Sequence, residues 1–184
     1  MKRSKSIWTA TVVGMLTLAG AASAEAPKGE TLPTPYTAEQ IRDEWTRGFW
    51  LDTRVTTPEG TKSSRMEVVS WSEAQVEMRE VPLSEVDGEM KPGEPGPTQT
   101  ATWEQLRDHA SFPQASAERQ RETRKTELGE LEGWVYRVKG PDGSTSEFFF
   151  ADRYPGPPVS YGRAMEGKRM FRVEQFARST HSDH

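Results

Sequence analysis

The first half of the chain contains several segments in which hydrophobic and polar side chains alternate. This twofold period occurs in residues 49–56, 66–71 and 74–79, and a Pro-Glu-Gly stretch at residues 58–60 separates the first two. Alternation with a period of two is typical of a strand with one buried face, whereas Pro and Gly favour tight turns. These segments therefore predict three antiparallel strands in a meander.

The last third of the chain shows the same period more clearly. Residues 134–139 alternate, residues 140–143 read Gly-Pro-Asp-Gly, and residues 147–151 return with three consecutive phenylalanines. A Gly-rich turn between two alternating runs is a strong hairpin signal. Residues 159–164 and 169–176 predict a further hairpin in the same way.

Two short helices are predicted between these strands. Thr37 precedes Gln40 by three positions, which is the spacing of a capping box, and the helix that it opens is expected to run to about Trp45. The same Thr-x-x-Gln spacing recurs at Thr102 and predicts a second helix that ends near residue 110. Both helices are short enough to serve as covers on a sheet.

Two segments have weaker patterns. Residues 86–97 are rich in Pro and Gly and predict a long loop, with short strand pieces at its ends as an option. Residues 115–125 have the composition of a helix without an apolar helical stripe, and we interpret them as an exposed strand. The chain as a whole predicts an α+β domain, mainly antiparallel β, with a curved, half-barrel-like meander sheet of about seven or eight strands and two short helices.

The N-terminus has the features of an export signal. Lys2, Arg3 and Lys5 precede a small and apolar run from Ile7 to Ala22, and the run ends in an Ala-x-Ala pattern at Ala24. A basic start, a short apolar segment and small residues at the end are typical of a cleaved signal peptide, and the apolar part is short for the alternative of a membrane anchor. The sequence therefore predicts export to the periplasm or the extracellular medium, with no stable membrane span after cleavage.

The domain boundaries follow from these segments. We expect a cleaved signal peptide over residues 1–24, a disordered tether over residues 25–36, one β-rich domain over residues 37–177 and a disordered tail over residues 178–184. The tether is assigned because prolines and a glycine interrupt it, and the tail because it is polar.

Composition excludes several classes of function. The 184 residues include no Cys, which rules out disulfide scaffolds, thiol nucleophiles and Cys-ligated zinc. The formal net charge of −4 becomes −7 without the three basic residues of the signal, because 21 Lys and Arg then face 28 Asp and Glu. A chain this acidic does not favour nucleic acid. Its one candidate basic patch (Arg119, Arg121, Arg124 and Lys125) is interleaved with glutamates, and we interpret it as a solvated face. No nucleotide-binding or hydrolase motif occurs, and no cofactor is predicted.

Aromatic residues are the most conspicuous candidates for a binding site. Five of them could line a concave apolar pocket for a lipid or acyl chain: Trp50, Trp71, Trp134, Tyr136 and Phe149. The alternative is that the same rings form the core itself, since the mature chain has few aliphatic residues. Phe149 has a phenylalanine on each side, so both faces of its strand are apolar there. Something must therefore cover the second face, and a helix and a ligand are the two alternatives.

Catalytic and metal-binding interpretations have less support. His109 stands beside Asp108 and could be a general base, but its place at the end of a short helix favours a structural role. His181, Asp183 and His184 could form a metal site, although they lie in the polar tail. Four strand glutamates leave a carboxylate pair open as a further alternative: Glu67, Glu77, Glu147 and Glu174. We assign no catalytic residue and no metal ligand.

Three stretches, residues 103–113, 129–136 and 150–159, resemble a group of small exported bacterial β-rich proteins of unknown function. The order of elements, with a helix inserted into a β-meander, is also similar to the half-open barrels of periplasmic lipoprotein carriers. These resemblances imply a fold and a location, and they imply no activity.

The resulting hypothesis is an exported, non-enzymatic protein of the cell envelope that acts as a binding or structural module. Its expected partner is an unknown hydrophobic ligand or an envelope protein. A first alternative is a carrier that holds a lipid, an acyl chain or a lipoprotein on the concave face of the sheet. A second alternative is a carboxylate-dependent hydrolase.

Overall fold

The computed structural model describes residues 29–45 and 48–179. Within these ranges the chain forms ten strands and two helices. In chain order they are α1 (Ala38–Glu44), β1 (Trp50–Thr57), β2 (Gly60–Trp71), β3 (Gln75–Val86), β4 (Glu89–Pro92), β5 (Gln99–Thr102), α2 (Trp103–Asp108), β6 (Ala117–Thr126), β7 (Gly129–Lys139), β8 (Thr145–Ala151), β9 (Ser160–Met165) and β10 (Lys168–Arg178). None of the helices in these ranges is long and apolar enough to cross a membrane.

All strands belong to one antiparallel, open and curled sheet. Their order is β4-β3-β2-β1-β10-β9-β8-β7-β6, and β5 pairs with β3 beside β4. The pairing of β1 with β10 joins the two meanders that the sequence predicts, so the predicted fold class is confirmed. The two additional strands, β4 and β5, come from the ends of the Pro- and Gly-rich segment, where four residues are too few to show a period. Most of residues 115–125 belong to β6, so this segment is a strand, as expected.

Both helices begin at the predicted capping boxes. The side chain of Thr37 accepts from the backbone N–H of Gln40, the side chain of Gln40 accepts from that of Thr37, and Thr102 and Gln105 repeat the arrangement. Each box satisfies two backbone donors that a helix start leaves unpaired. One face of each helix is buried against the sheet, through Ile41 in α1 and Trp103 in α2.

The main core lies between the helices and one face of the sheet, which we call the inner face. It combines aliphatic residues of the first meander, such as Val76 and Met78, with Tyr136 and Phe150 of the second. Tyr136, Val76 and Met78 are completely buried. Trp45, at the end of α1, stacks on Phe49 with 5.1 Å between ring centroids. Aromatic rings supply much of the buried area, in keeping with the scarcity of aliphatic residues.

A second cluster explains the three consecutive phenylalanines of β8. Phe149 pairs in register with Val135 and is fully buried, on the opposite face of the strand from its two phenylalanine neighbours. It packs in a cluster with Tyr154 and Val159, which belong to the crossover between β8 and β9. The Pro155 carbonyl in this crossover accepts a hydrogen bond from Nε1 of Trp45 at 3.1 Å. The protein itself therefore covers the second face.

The two ends of the described chain make more contacts than the sequence predicts. In the expected tether, the N–H of Leu32 donates to the Phe112 carbonyl at 2.9 Å, and the hydroxyl of Tyr136 donates to the Pro33 carbonyl at 2.6 Å. These partners lie far away in sequence, so local composition could not reveal them. At the other end β10 continues to Arg178, whose buried side chain donates to Glu44 at 2.6 Å. The expected signal peptide and the last five residues of the expected tail lie outside the described residues.

Candidate functional site

The two edges of the sheet are built differently. On the β3 side the neighbouring strands β4 and β5 have four residues each, and a Pro- and Gly-rich segment joins them. In this segment the N–H groups of Gly93 and Gly96 donate to the carbonyls of Pro82 and Glu80 in β3, at 2.8 and 2.7 Å. Short strands and prolines are common ways to prevent an edge from pairing with another chain. This edge is therefore closed to pairing with a further strand.

The opposite edge is the ten-residue strand β6, which contains no proline. Among the described residues it pairs with β7 alone, so its other side carries no strand. Its register with β7 sets the direction of its side chains, because Arg119 lies opposite Tyr136 and Arg121 opposite Trp134. Arg119, Arg121, Thr123 and Lys125 consequently form one row on the inner face, and we call them the inner row of β6.

Arg119 is held in place by aromatic rings. Its guanidinium carbon lies 3.5 Å from the ring centroid of Trp134 and 5.6 Å from that of Tyr136. Burial raises the pKa of Tyr136 to about 12, although the positive charge of Arg119 acts in the opposite direction. No carboxylate of the described residues forms an ion pair with Arg119, and its Nε atom is buried without a hydrogen-bond partner. The result is an ordered cation whose charge is not compensated.

The rest of the inner row differs in its charge balance. Arg121 makes a bidentate pair with Asp152, at 2.7 and 2.6 Å, and its Nη2 atom lies 3.9 Å from Glu132. Lys125 is exposed and forms no ion pair within the described part of the chain. A shallow depression of about 240 Å³ lies beside the middle of the strand and is lined by Arg121, Glu122, Thr123 and Glu132. Positive charge without a partner is therefore found near both ends of the row.

On the outer face four side chains close into a ring of ion pairs across β6, β7 and β8. Arg124 contacts Glu122 and Glu147 at 2.7 and 2.8 Å, and Arg137 contacts the same two glutamates at 2.7 and 2.8 Å. Burial alone would raise the pKa of Glu122, but hydrogen bonds from Arg137, Arg124 and Gln120 outweigh it and lower the pKa to about 2. For Glu147 the same arginines likewise outweigh burial and lower the pKa. The ring ties the edge strand to its neighbours.

The structure does not bring the five predicted aromatic residues together. Trp134 and Tyr136 share the inner face, whereas Phe149 belongs to the second cluster. Trp50 pairs with Glu67 on the outer face, where Arg65 lies 4.1 Å from its ring centroid. Trp71 is 47% exposed at the end of β2. Tyr136 and Phe149 are fully buried, so they belong to the interior of the two clusters.

The candidate acids and bases are equally dispersed. Each of the four strand glutamates has its own partner: Glu67 with Arg79, Glu77 with Ser70, Glu147 with Arg124 and Arg137, and Glu174 with Arg172. The lowered pKa of Glu147 is the reverse of what a general acid requires. His109 is exposed at the end of α2, and Asp108 accepts from Arg107 at 2.8 Å. The two tail histidines lie outside the described residues.

Sequence reasoning missed Arg119 as a candidate. The basic residues of this segment were grouped as one solvated patch, but the register of β6 places Arg124 on the outer face and the other three on the inner face. The order of charged residues within β6 could have identified Arg119, but only once the pairing of β6 with β7 is known.

The comparisons with known proteins concern the fold. No protein-family model matches the chain, and no curated protein matches its sequence. Three similar solved structures contain MucB: a crystal structure of its complex with MucA(peri) (11% identity), the Pseudomonas aeruginosa MucA/MucB complex (13%) and a crystal structure of MucB (12%), each with a TM-score of 0.50. The matches cover 79%, 79% and 77% of this chain and 55%, 57% and 56% of those chains.

At such identities the likeness is one of fold. The chain spans a little over half the length of the MucB chains that it matches. The likeness agrees with the curved, half-barrel-like sheet and with the weak similarity to periplasmic carrier-like folds that the order of elements predicts.

Proposed function

We propose that this chain is an exported, non-enzymatic binding module of the cell envelope and that its partner is a protein. The observation that carries the proposal is the contrast between the two edges of the sheet. One edge is closed by short strands and by the Pro- and Gly-rich segment, whereas the ten residues of β6 have no strand of the described chain on the side away from β7. An uncovered edge strand offers main-chain donors and acceptors to an incoming strand.

Two further observations support a protein partner. The centre of the inner face is occupied by the protein's own side chains, since Tyr136 and Phe150 are buried beneath other residues of the main core. A ligand there would have to displace part of the fold. In addition, the similar MucB structures include complexes with MucA, of which one is described as MucA(peri).

A site-specific cross-linker tests this proposal in the native host. We would place a photoreactive phenylalanine analogue at Gln120, which is exposed on β6, and at Glu73 as a control, which is exposed in the β2–β3 turn. We expect one protein adduct at Gln120, identified by mass spectrometry, and none at Glu73. The same adducts at both positions, or adducts at neither, would count against a partner at this edge.

One observation favours a carrier as the second candidate. Phe148, Tyr161 and Phe171, on β8, β9 and β10, form a row of partly exposed rings, with 5.8 Å between the centroids of neighbouring rings. This row could hold an acyl chain. Native mass spectrometry of protein purified without detergent decides between the candidates, because a co-purifying mass that organic solvent removes would support the carrier.

A further inference from the structure

We propose that β6 binds an extended polypeptide segment of the partner that carries acidic side chains, and that Arg119 is the residue that binds one of its carboxylates. This inference rests on the proposed function and adds the chemistry of the partner. It follows from three features of the edge. The main-chain groups of β6 are available for pairing, the inner row contains cations without an ion pair among the described residues, and the guanidinium of Arg119 is held against Trp134.

The first feature fixes the geometry of binding. A segment that pairs with β6 places its side chains about 5 Å from those directly opposite, on the same face of the sheet. Every second residue of the segment then faces the inner row of β6. Because Arg119 and Lys125 lie at opposite ends of this row, two acidic residues six positions apart would face both of them in an antiparallel segment.

The second feature, the cations of the inner row, determines which charge the partner segment should carry. Arg121 is neutralised by Asp152, whereas Arg119 and Lys125 have no ion pair with any described residue. On the outer face, the charges of Glu122 and Arg124 are already paired within the ion-pair ring. An acidic segment therefore gains an ion pair with Arg119, and at Lys125 it competes with Glu130 of β7, which lies directly opposite, whereas a basic segment would be repelled by Arg119.

The third feature makes Arg119 the main determinant. The ring of Trp134 fixes the plane of its guanidinium at 3.5 Å, so less side-chain freedom is lost when a carboxylate binds. Its Nε atom is buried and has no hydrogen-bond partner among the described residues, so a carboxylate of the partner has to bind through the Nη groups. A planar guanidinium can donate two parallel hydrogen bonds to a carboxylate, which an ammonium group cannot do. We therefore expect a lysine at position 119 to retain only part of the affinity for the acidic segment.

A synthetic peptide tests the chemistry directly. We would use an eight-residue acetylated peptide with glutamates at its first and seventh positions, a lysine at its last position and alternating threonine and valine between the glutamates. Binding to the full mature chain is measured by calorimetry and by the change in its tryptophan fluorescence. We expect Arg119→Gln to weaken binding about tenfold or more and Arg119→Lys to weaken it less, because the glutamine variant loses the charge-assisted pair with a glutamate of the peptide altogether. Lys62→Gln, on β2, should leave the affinity unchanged.

Two matched peptides separate the contribution of the charges to the affinity from that of the main-chain hydrogen bonds. A peptide with glutamines in place of the glutamates keeps the main chain and loses the charges, and an N-methylated version keeps the charges and loses main-chain donors. We expect both to bind more weakly than the parent peptide. Equal affinity of the glutamate and glutamine peptides, or equal affinity of wild type and Arg119→Gln, would overturn the proposal.

Failure of the two proposals can be distinguished. If the glutamate peptide does not bind while the cross-linker at Gln120 captures a protein, the acidic chemistry is wrong and the binding module stands. If neither result is obtained, both proposals fail. If sedimentation instead shows a dimer that the peptide does not dissociate, and a cross-link at Gln120 joins two copies, β6 pairs with a second copy and the acidic partner is excluded.

Discussion

The ion-pair ring on the outer face should make the stability of the protein depend on pH through Glu122. Its pKa falls from 4.5 to about 2 in the folded chain. If the whole shift reached the unfolding equilibrium, it would correspond to about 3 kcal/mol. The side chain of Glu122 is 23% exposed and the ring lies at the surface, where solvent screens the charges. We therefore expect Glu122→Gln to lower the free energy of unfolding at pH 7 by about 1–2 kcal/mol.

The sign of the pH dependence follows from the lowered pKa. The carboxylate contributes its stability fully above the pKa of the unfolded chain, near 4.5, and loses it as the pH falls towards about 2. Urea unfolding at pH 7, 5, 4 and 3 should show a gap between wild type and Glu122→Gln that is constant above pH 5 and then narrows. A gap of the same size from pH 7 to pH 3 would refute the role of ionised Glu122.

A matched control removes the effect of net charge. Glu130 is exposed on β7, in the same hairpin, and forms no ion pair with another described residue. Glu130→Gln changes the net charge by the same amount and should alter the free energy of unfolding by less than about 0.5 kcal/mol. If both variants are destabilised equally, overall charge and not the ring is responsible.

Three other substitutions test the core around the candidate site, each by its urea midpoint. Gly133→Ala should cost about 2–3 kcal/mol, because a Cβ atom there would lie 2.0 Å from the Phe150 carbonyl oxygen; a wild-type midpoint would mean that the strands are not in this register. Tyr136→Phe should cost about 1 kcal/mol by removing the hydrogen bond to Pro33, and no change would place the N-terminal segment elsewhere. Trp134→Ala should cost about 2 kcal/mol, less than for a fully buried ring; an unchanged midpoint would exclude its packing on the sheet.

The features that sequence reasoning predicted well depend on neighbours in the chain. A capping box involves a residue and its third successor, so Thr37 and Thr102 identify both helix starts directly. Strand alternation and the Gly-Pro-Asp-Gly turn are equally local. By contrast, β4 and β5 owe their existence to β3, with which they pair, and four residues of either strand carry no pattern of their own.

The candidate site was harder to predict because it depends on register. Alternation within β7 shows that Trp134 and Tyr136 share a face, and this holds in the structure. Whether Phe149 joins them depends on its alignment with β7, and the register pairs it with Val135 on the other face. The same applies to Arg119, since only the pairing of β6 with β7 places Trp134 and Tyr136 beneath it.

Charged side chains along an edge strand are also a common device against pairing with other chains, and this raises the question of which role β6 has. The way in which the charges of β6 are paired distinguishes protection against pairing from recognition of a partner. The contact of the Arg119 guanidinium with Trp134, at 3.5 Å, stabilises the fold in either role, so the distinction rests on the pairing of the charges. Most charges of β6 are neutralised by its own neighbours, and Lys125 lies directly opposite Glu130, whereas Arg119 has no carboxylate partner among the described residues. Such an edge disfavours basic strands and favours acidic ones over neutral ones, so protection from aggregation and recognition of an acidic partner are compatible in the same ten residues.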